Sequence, residues 1–163
     1  MKNLWKNLET LTPELQNPID LIRIQSDYLR EGTGDLLCIS DFEIKNLSPQ
    51  TNKVMKNQKI LGQFMRRAVI ASDYLLDYSF NFISLFYDIT FYPLMATVPK
   101  EIADDIEKSN SFDVIYEHEY RKYYNIENQN ELERLLEAIF NCEKIRVVLQ
   151  NMKAIIGEVP SEE

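Results

Sequence analysis

Two ways of spacing apolar residues alternate along this chain. From Asn17 onward the large apolar positions recur every three or four residues: Leu21, Ile24 and Tyr28, flanked by Ile22 and Leu29. That spacing lines one face of an α-helix. Asn17 offers a capping side chain, Pro18 suits the first helical position, and Asp20 sits in the first turn, where a carboxylate meets the positive end of the helix dipole. Gly32 fits the position just past the last turn, so a helix is predicted over 18–31. Gly32-Thr33-Gly34-Asp35 then reads as a turn, and the period changes to two. Leu36, Cys38, Ser40, Phe42 and Ile44 fall on one side; Leu37, Ile39, Asp41, Glu43 and Lys45 fall on the other. This is a strand, Leu36–Ile44. Residues 46–59, rich in Asn, Ser, Pro, Gln and Thr, read as a loop.

The extended pattern resumes over Phe64–Ala71 and is plainest over Tyr78–Phe91. There Tyr78, Phe80, Phe82, Ser84 and Phe86 alternate with Ser79, Asn81, Ile83, Leu85 and Tyr87. Apolar residues on both sides predict a central strand, covered on both faces over part of its length. The intervening residues 72–77 read as a hairpin connection. Pro93 interrupts the run, and a proline in a strand belongs at an edge or a bulge, so Leu94–Val98 is predicted to be a shorter outer strand. Pro99 opens a short acidic helix, Lys100–Lys108, with Ile102, Ala103 and Ile106 inward. Phe112–Asn125 keeps no single period and reads as a short strand followed by an irregular, tyrosine-rich segment.

The last third is the most regular. Leu132, Leu135, Leu136, Ile139 and Phe140 make one helical stripe, with Asn130 as its N-cap. Ile145, Val148, Leu149, Met152, Ile155 and Ile156 make a second stripe, out of phase with the first. Two helices, 131–140 and 142–156, are predicted, with a break near Asn141, which can cap the second. Gly157 and Pro160 end it, and Ser161-Glu162-Glu163 reads as a loose tail. The predicted fold class is therefore α+β: an antiparallel sheet of three to five strands, with an N-terminal helix and two C-terminal amphipathic helices on one face. The 163 residues suit a single domain, 1–163, with a core at about 17–157 and loose termini.

Charge narrows the partners. The net charge is −8, which argues against nucleic acid, because phosphate neutralisation requires clustered Lys and Arg. It argues equally against anionic membrane surfaces. Met1–Leu11 lacks the continuous apolar run of a signal peptide, and 78–98 is broken by Asn81, Asp88, Thr90 and Pro93. A cytoplasmic protein is expected, with Cys38 and Cys142 as buried free thiols in a reducing compartment.

Candidate chemistry is sparse. His118 is the sole histidine, it lies between two glutamates, and it reads as a surface residue. No zinc or calcium spacing occurs. Gly32-Thr33-Gly34 leads into a strand, whereas a phosphate-cradling loop opens a helix. No serine sits in a nucleophile elbow. Cys142 with His118 is the one Cys/His pairing, and a helix N-terminus at Cys142 would lower its pKa. The carboxylate pairs Asp104-Asp105, Glu117/Glu119 and Glu131/Glu133 read as solvated faces rather than acids facing across a cleft. Phe42, Phe80, Phe82, Phe86, Phe91 and Phe140 read as core. No catalytic residue, metal or cofactor is expected.

One local concentration stands out. Tyr116, Tyr120, Tyr123 and Tyr124 fall close together, mixed with Glu117, Glu119, Arg121 and Lys122. Tyrosine is rigid and amphipathic and is favoured at interfaces. Tyr116, Glu117, Glu119, Tyr120, Tyr123 and Tyr124 form the candidate partner-binding set; the alternative is that one or two of these tyrosines cap the core.

The outline resembles small bacterial α+β proteins of similar length, through Asn17-Pro18 to Gly32, Tyr78-x-Phe80-x-Phe82, Phe91-Tyr92-Pro93 and Asn130 to Ile156. The resemblance covers about half the chain and implies no activity or site residue. The expected function is that of a non-enzymatic protein-binding module, in its most concrete form an acidic inhibitor or immunity-type protein against a basic toxin or nuclease. The alternatives are a small acidic chaperone for a secreted or labile client, which would need a dimer and a large apolar patch, and an enzyme, which would need a deep pocket of converging polar groups. A homodimer stays open.

Overall fold

The computed structural model describes residues 1–60 and 62–158. Pro160 and the Ser161–Glu163 tail lie outside these. Among the described residues the chain forms a six-stranded antiparallel sheet and five α-helices. The α+β reading holds, with more elements than the spacing predicted.

The order is α1 (Pro18–Gly32), β1 (Cys38–Glu43), α2 (Pro49–Asn57), β2 (Phe64–Ala71), β3 (Ser79–Tyr87), β4 (Leu94–Pro99), α3 (Lys100–Ile106), β5 (Asp113–Glu117), β6 (Arg121–Ile126), α4 (Gln129–Asn141) and α5 (Glu143–Glu158). The spatial order of the strands is β1-β2-β3-β4-β6-β5. A single-turn helix, Leu8–Thr10, precedes them.

Local chemistry sets the ends. Asn17 caps α1 by accepting from the Ile19 amide at 3.3 Å, and it also accepts the Tyr87 hydroxyl at 2.7 Å, which ties the helix to β3. α1 runs through Gly32, and the left-handed residues that turn the chain are Gly34, at φ 59°, and Asp35, at φ 63°. α4 is capped by Asn128, not Asn130: its side chain accepts from the Glu131 amide at 2.9 Å. Asn141 does not cap α5. Its amide donates back to the Glu137 carbonyl, while the Lys144 amide is taken by Asp105 of α3 at 3.0 Å.

Three segments differ from the elements expected of them. Residues 46–59 are not a loop throughout. Ser48 accepts from the Thr51 amide at 3.2 Å, Pro49 takes the first helical position, and Thr51, Val54 and Met55 form the buried face of α2. β4 is an inner strand, not an outer one, and Leu94–Val98 are all buried. Pro93 precedes the strand, across a cis Tyr92–Pro93 bond, so it removes no ladder donor. Residues 112–125 are not a short strand and an irregular segment: β5 and β6 form a hairpin whose period is blurred by a bulge between Val114 and Tyr116.

The two faces of the sheet differ. α1, α3, α4 and α5 cover one, over a core that includes Ile22, Leu37, Ile70, Leu85, Val98, Ile102, Leu135 and Ile145. The other is covered in part by α2 alone. There Ile44, Val54, Met55, Phe86, Met95 and Tyr123 make a smaller cluster. Phe82 and Phe86 are buried as expected, and Phe80, Phe91 and Phe140 partly so. Phe42 is 46% exposed, because β1 is an edge strand running beyond α2. Ile24 and Tyr28 are also exposed: the buried stripe of α1 runs through Ile19, Leu21, Ile22 and Ser26 instead. Cys38 and Cys142 are buried and unbonded. No described helix is long and apolar enough to cross a membrane.

Candidate functional site

Register, which no single segment reveals, builds the site. Phe42 pairs with Arg67, Arg67 with Ser84, Ser84 with Thr97, Thr97 with Tyr123, and Tyr123 with Tyr116. These six residues form one row across all six strands on the face that α2 half covers. Arg121 lies two residues before Tyr123 on β6 and therefore on the same side.

At the middle of the row is a recess of about 130 Å³. Arg67 and Arg121 rise from the sheet on either side of Thr97, and Asn46, Ser48 and Thr51 close it from the N-terminal end of α2. Arg67 donates from Nε to Ser84 Oγ at 3.3 Å. Arg121 Nη1 is buried without a protein partner, and so is the hydroxyl of Thr97, a residue only 2% exposed. Among the described residues, neither arginine has a carboxylate within 4 Å. Burial, and next the charge of Arg67, pulls the Arg121 guanidinium below its usual pKa. The helix N-terminus adds partial positive charge. The recess is thus a small, cation-walled pocket in a chain of net charge −8.

A polar rim ties α2 to the sheet. Ser48 donates to the Thr51 hydroxyl at 3.0 Å, Thr51 and Tyr123 share a hydroxyl bond at 2.9 Å, and Gln50 donates to the Tyr116 hydroxyl at 2.9 Å.

The tyrosine-rich set is divided by the strand that carries it. Neighbours on a strand point to opposite faces. Tyr123, 1% exposed, faces α2, whereas Tyr124 faces the helical core and donates to Glu107 at 2.9 Å. Lys122 lies on the same side as Tyr124 and also pairs with Glu107. Tyr116 and Tyr120 are exposed, at 41% and 68%, and Glu117 and Glu119 are exposed beside them. The turn of the β5–β6 hairpin therefore presents four of the six candidate residues, and the fold buries the other two.

The remaining chemistry stays apart. No three described His, Cys, Asp or Glu side chains converge as metal ligands. His118 is half-buried and accepts the Tyr120 amide through Nδ1 at 3.3 Å. Cys142 closes α4 and also stands at the N-terminal end of α5, where its carbonyl accepts from the Arg146 amide at 3.1 Å; burial, with the nearby Asp105 charge, pushes its thiol up overall, against the amides of that first turn, which pull it down. This reverses the lowering expected from a helix N-terminus. A shallower groove of about 210 Å³, walled mainly by Tyr28, Leu29, Ile39, Phe140, Ile145 and Leu149, lies against α1 and α5 and brings no pair of charges together.

Sequence reading missed Arg67, Thr97 and Arg121. The usable signal was polar residues inside otherwise apolar strands: Ser84 in β3 and Thr97 in β4. Ser48-Pro49 was an equally usable cap signal for α2. No family model, curated protein or solved structure matches the chain.

Proposed function

We propose that this protein is a binding module, not an enzyme, and that it recognises an anionic group in the recess beneath α2. One observation carries the reading. Arg67 and Arg121 wall a small pocket with no neutralising carboxylate among the described residues, and the buried Thr97 hydroxyl between them lacks a partner there. Partly buried like charges cost stability unless something of opposite charge meets them. An anion binding there would supply the missing acceptors and replace repulsion with charge-assisted hydrogen bonds. Among the described residues that line the pocket there is no Asp, Glu, His, Lys or Cys to act as a general base or activated nucleophile, which favours recognition over turnover.

The test is thermal unfolding in a series of oxyanions (acetate, citrate, sulfate and phosphate) at constant ionic strength. At least one should raise the midpoint of the wild type with the saturation of a binding isotherm. The double variant Arg67→Gln/Arg121→Gln should lose that rise. Equal shifts in both proteins, or none in either, would defeat the reading.

A second reading rests on the exposed hairpin turn. Tyr116, Glu117, Glu119 and Tyr120 form an acidic, aromatic tip, suited to a basic protein partner such as a toxin or nuclease. Association with such a partner would slow markedly as salt rises to about 0.5 M, where screening shortens to a few ångströms. Salt-indifferent association, with a lifetime unchanged in Tyr120→Ala, would count against it.

A further inference from the structure

Resting on the anion-recognition reading, we infer that the ligand of the recess is a phosphomonoester-type dianion rather than a carboxylate. The first ground is charge. Two guanidinium groups face one cavity without a carboxylate partner, so a single negative charge leaves one of them uncompensated, while a dianion neutralises both.

The second ground is donor geometry. The available donors do not lie in one plane. Arg67 and Arg121 approach from β2 and β6, and the 2% exposed Thr97 hydroxyl rises from β4 between them; the Ser48 and Thr51 hydroxyls above the pocket are already engaged with each other and with Tyr123. A planar carboxylate is matched by one guanidinium fork. A tetrahedral group carries three terminal oxygens and can take donors from the floor and both walls at once.

The third ground is size. About 130 Å³ is several times the roughly 30 Å³ that one water occupies in the liquid. That admits a phosphoryl group and excludes a whole nucleotide. The phosphate would therefore enter alone, as inorganic phosphate or as the tip of a larger molecule whose body stays outside. Gln50, next to Thr51 on α2, and Tyr116, paired with Tyr123 across β5–β6, bond each other on the same side of the sheet and offer polar groups to such a body.

The experiment is titration calorimetry on the full chain at constant ionic strength with phenyl phosphate, inorganic phosphate, sulfate and benzoate. Phenyl phosphate and phosphate should bind at least tenfold more tightly than benzoate. Comparable affinity of the two phosphates would indicate that the free ion suffices, whereas a gain for phenyl phosphate would indicate a ligand with a body beyond the pocket; both support the dianion. Lowering the pH from 7.5 to 5.5 should weaken phenyl phosphate about fourfold, because the second ionisation of such an ester lies near 6. Sulfate, fully charged at both values, should hold its affinity. Thr97→Val keeps the side-chain shape, removes the hydroxyl, and should weaken phenyl phosphate at least fivefold with little change in melting temperature. Should that variant fold poorly, the pH comparison on the wild type still decides. Benzoate binding as tightly as phenyl phosphate, with no pH dependence, would overturn the dianion while leaving anion recognition standing. Binding by none of the four would overturn both.

Discussion

Arg66 and Arg67 are neighbours on β2 and point to opposite faces of one sheet, and their surroundings could hardly differ more. Arg66 meets Asp41, which also accepts two hydrogen bonds from Arg23 of α1, at 3.0 and 2.9 Å. Arg67 meets the hydroxyl of Ser84. On the helical face, buried or half-buried charge is answered within the chain: Asp41 by two arginines, and Lys122 by Glu107. On the α2 face, Arg67 and Arg121 are not so answered. One face is built to hold the fold together. Both faces leave a buried guanidinium nitrogen without a protein partner, Arg66 Nε on one and Arg121 Nη1 on the other, but the charge of Arg66 is met by Asp41, whereas among the described residues that of Arg121 meets no carboxylate, at a cost to stability of the kind a binding site carries.

The helical face is most sensitive where its core is deepest. Leu135 is fully buried between α4 and the sheet, and Leu135→Ala should cost about 2–5 kcal/mol in urea unfolding. Phenyl phosphate binding to the folded fraction should be unchanged. Coupled loss of both would mean that the two faces are not independent.

A smaller effect is expected at Glu107, which serves both Lys122 and the Tyr124 hydroxyl. Glu107→Gln should destabilise by about 3 kcal/mol, since it strands a buried lysine. A loss below about 0.5 kcal/mol would show that this pair is not what balances the helical face.

Asp41 sharpens the same contrast through pH. The Arg23 hydrogen bonds, then those of Arg66, hold its carboxyl below the usual carboxylate range. A depressed carboxylate stabilises the fold above its unfolded pKa, and that contribution is lost as pH falls through the folded value. Asp41→Asn should therefore cost about 1–2 kcal/mol near pH 6, and the gap to wild type should close progressively below about pH 4. A gap that stays constant down to pH 3 would contradict the assignment.

Much of the helical face was legible in the sequence, and little of the other. α1, α4 and α5 announce themselves because one side of each helix meets a large core, so apolar residues recur at helical spacing. β2 was legible to its boundaries, Phe64–Ala71. α2 was hidden because it buries only Thr51, Val54 and Met55 on a mostly polar helix. β6 was hidden because both of its sides are buried, Tyr123 against α2 and Tyr124 against the core, which erases alternation. The candidate site was illegible for a stronger reason. Arg67, Thr97 and Arg121 come from β2, β4 and β6, and only the registers between strands set them around one recess.

On the proposed function, the α2 face holds its arginines for a ligand and not for the fold. The unfolding free energy of Arg121→Met against wild type, with and without saturating phenyl phosphate, separates the two roles. Without the phosphate the variant should be more stable by about 1 kcal/mol, because a desolvated, unpaired charge beside Arg67 has been removed. With the phosphate the order should reverse, because only the wild type gains binding energy in full. A variant that is less stable than wild type by the same margin in both conditions would contradict the account and make Arg121 a structural residue.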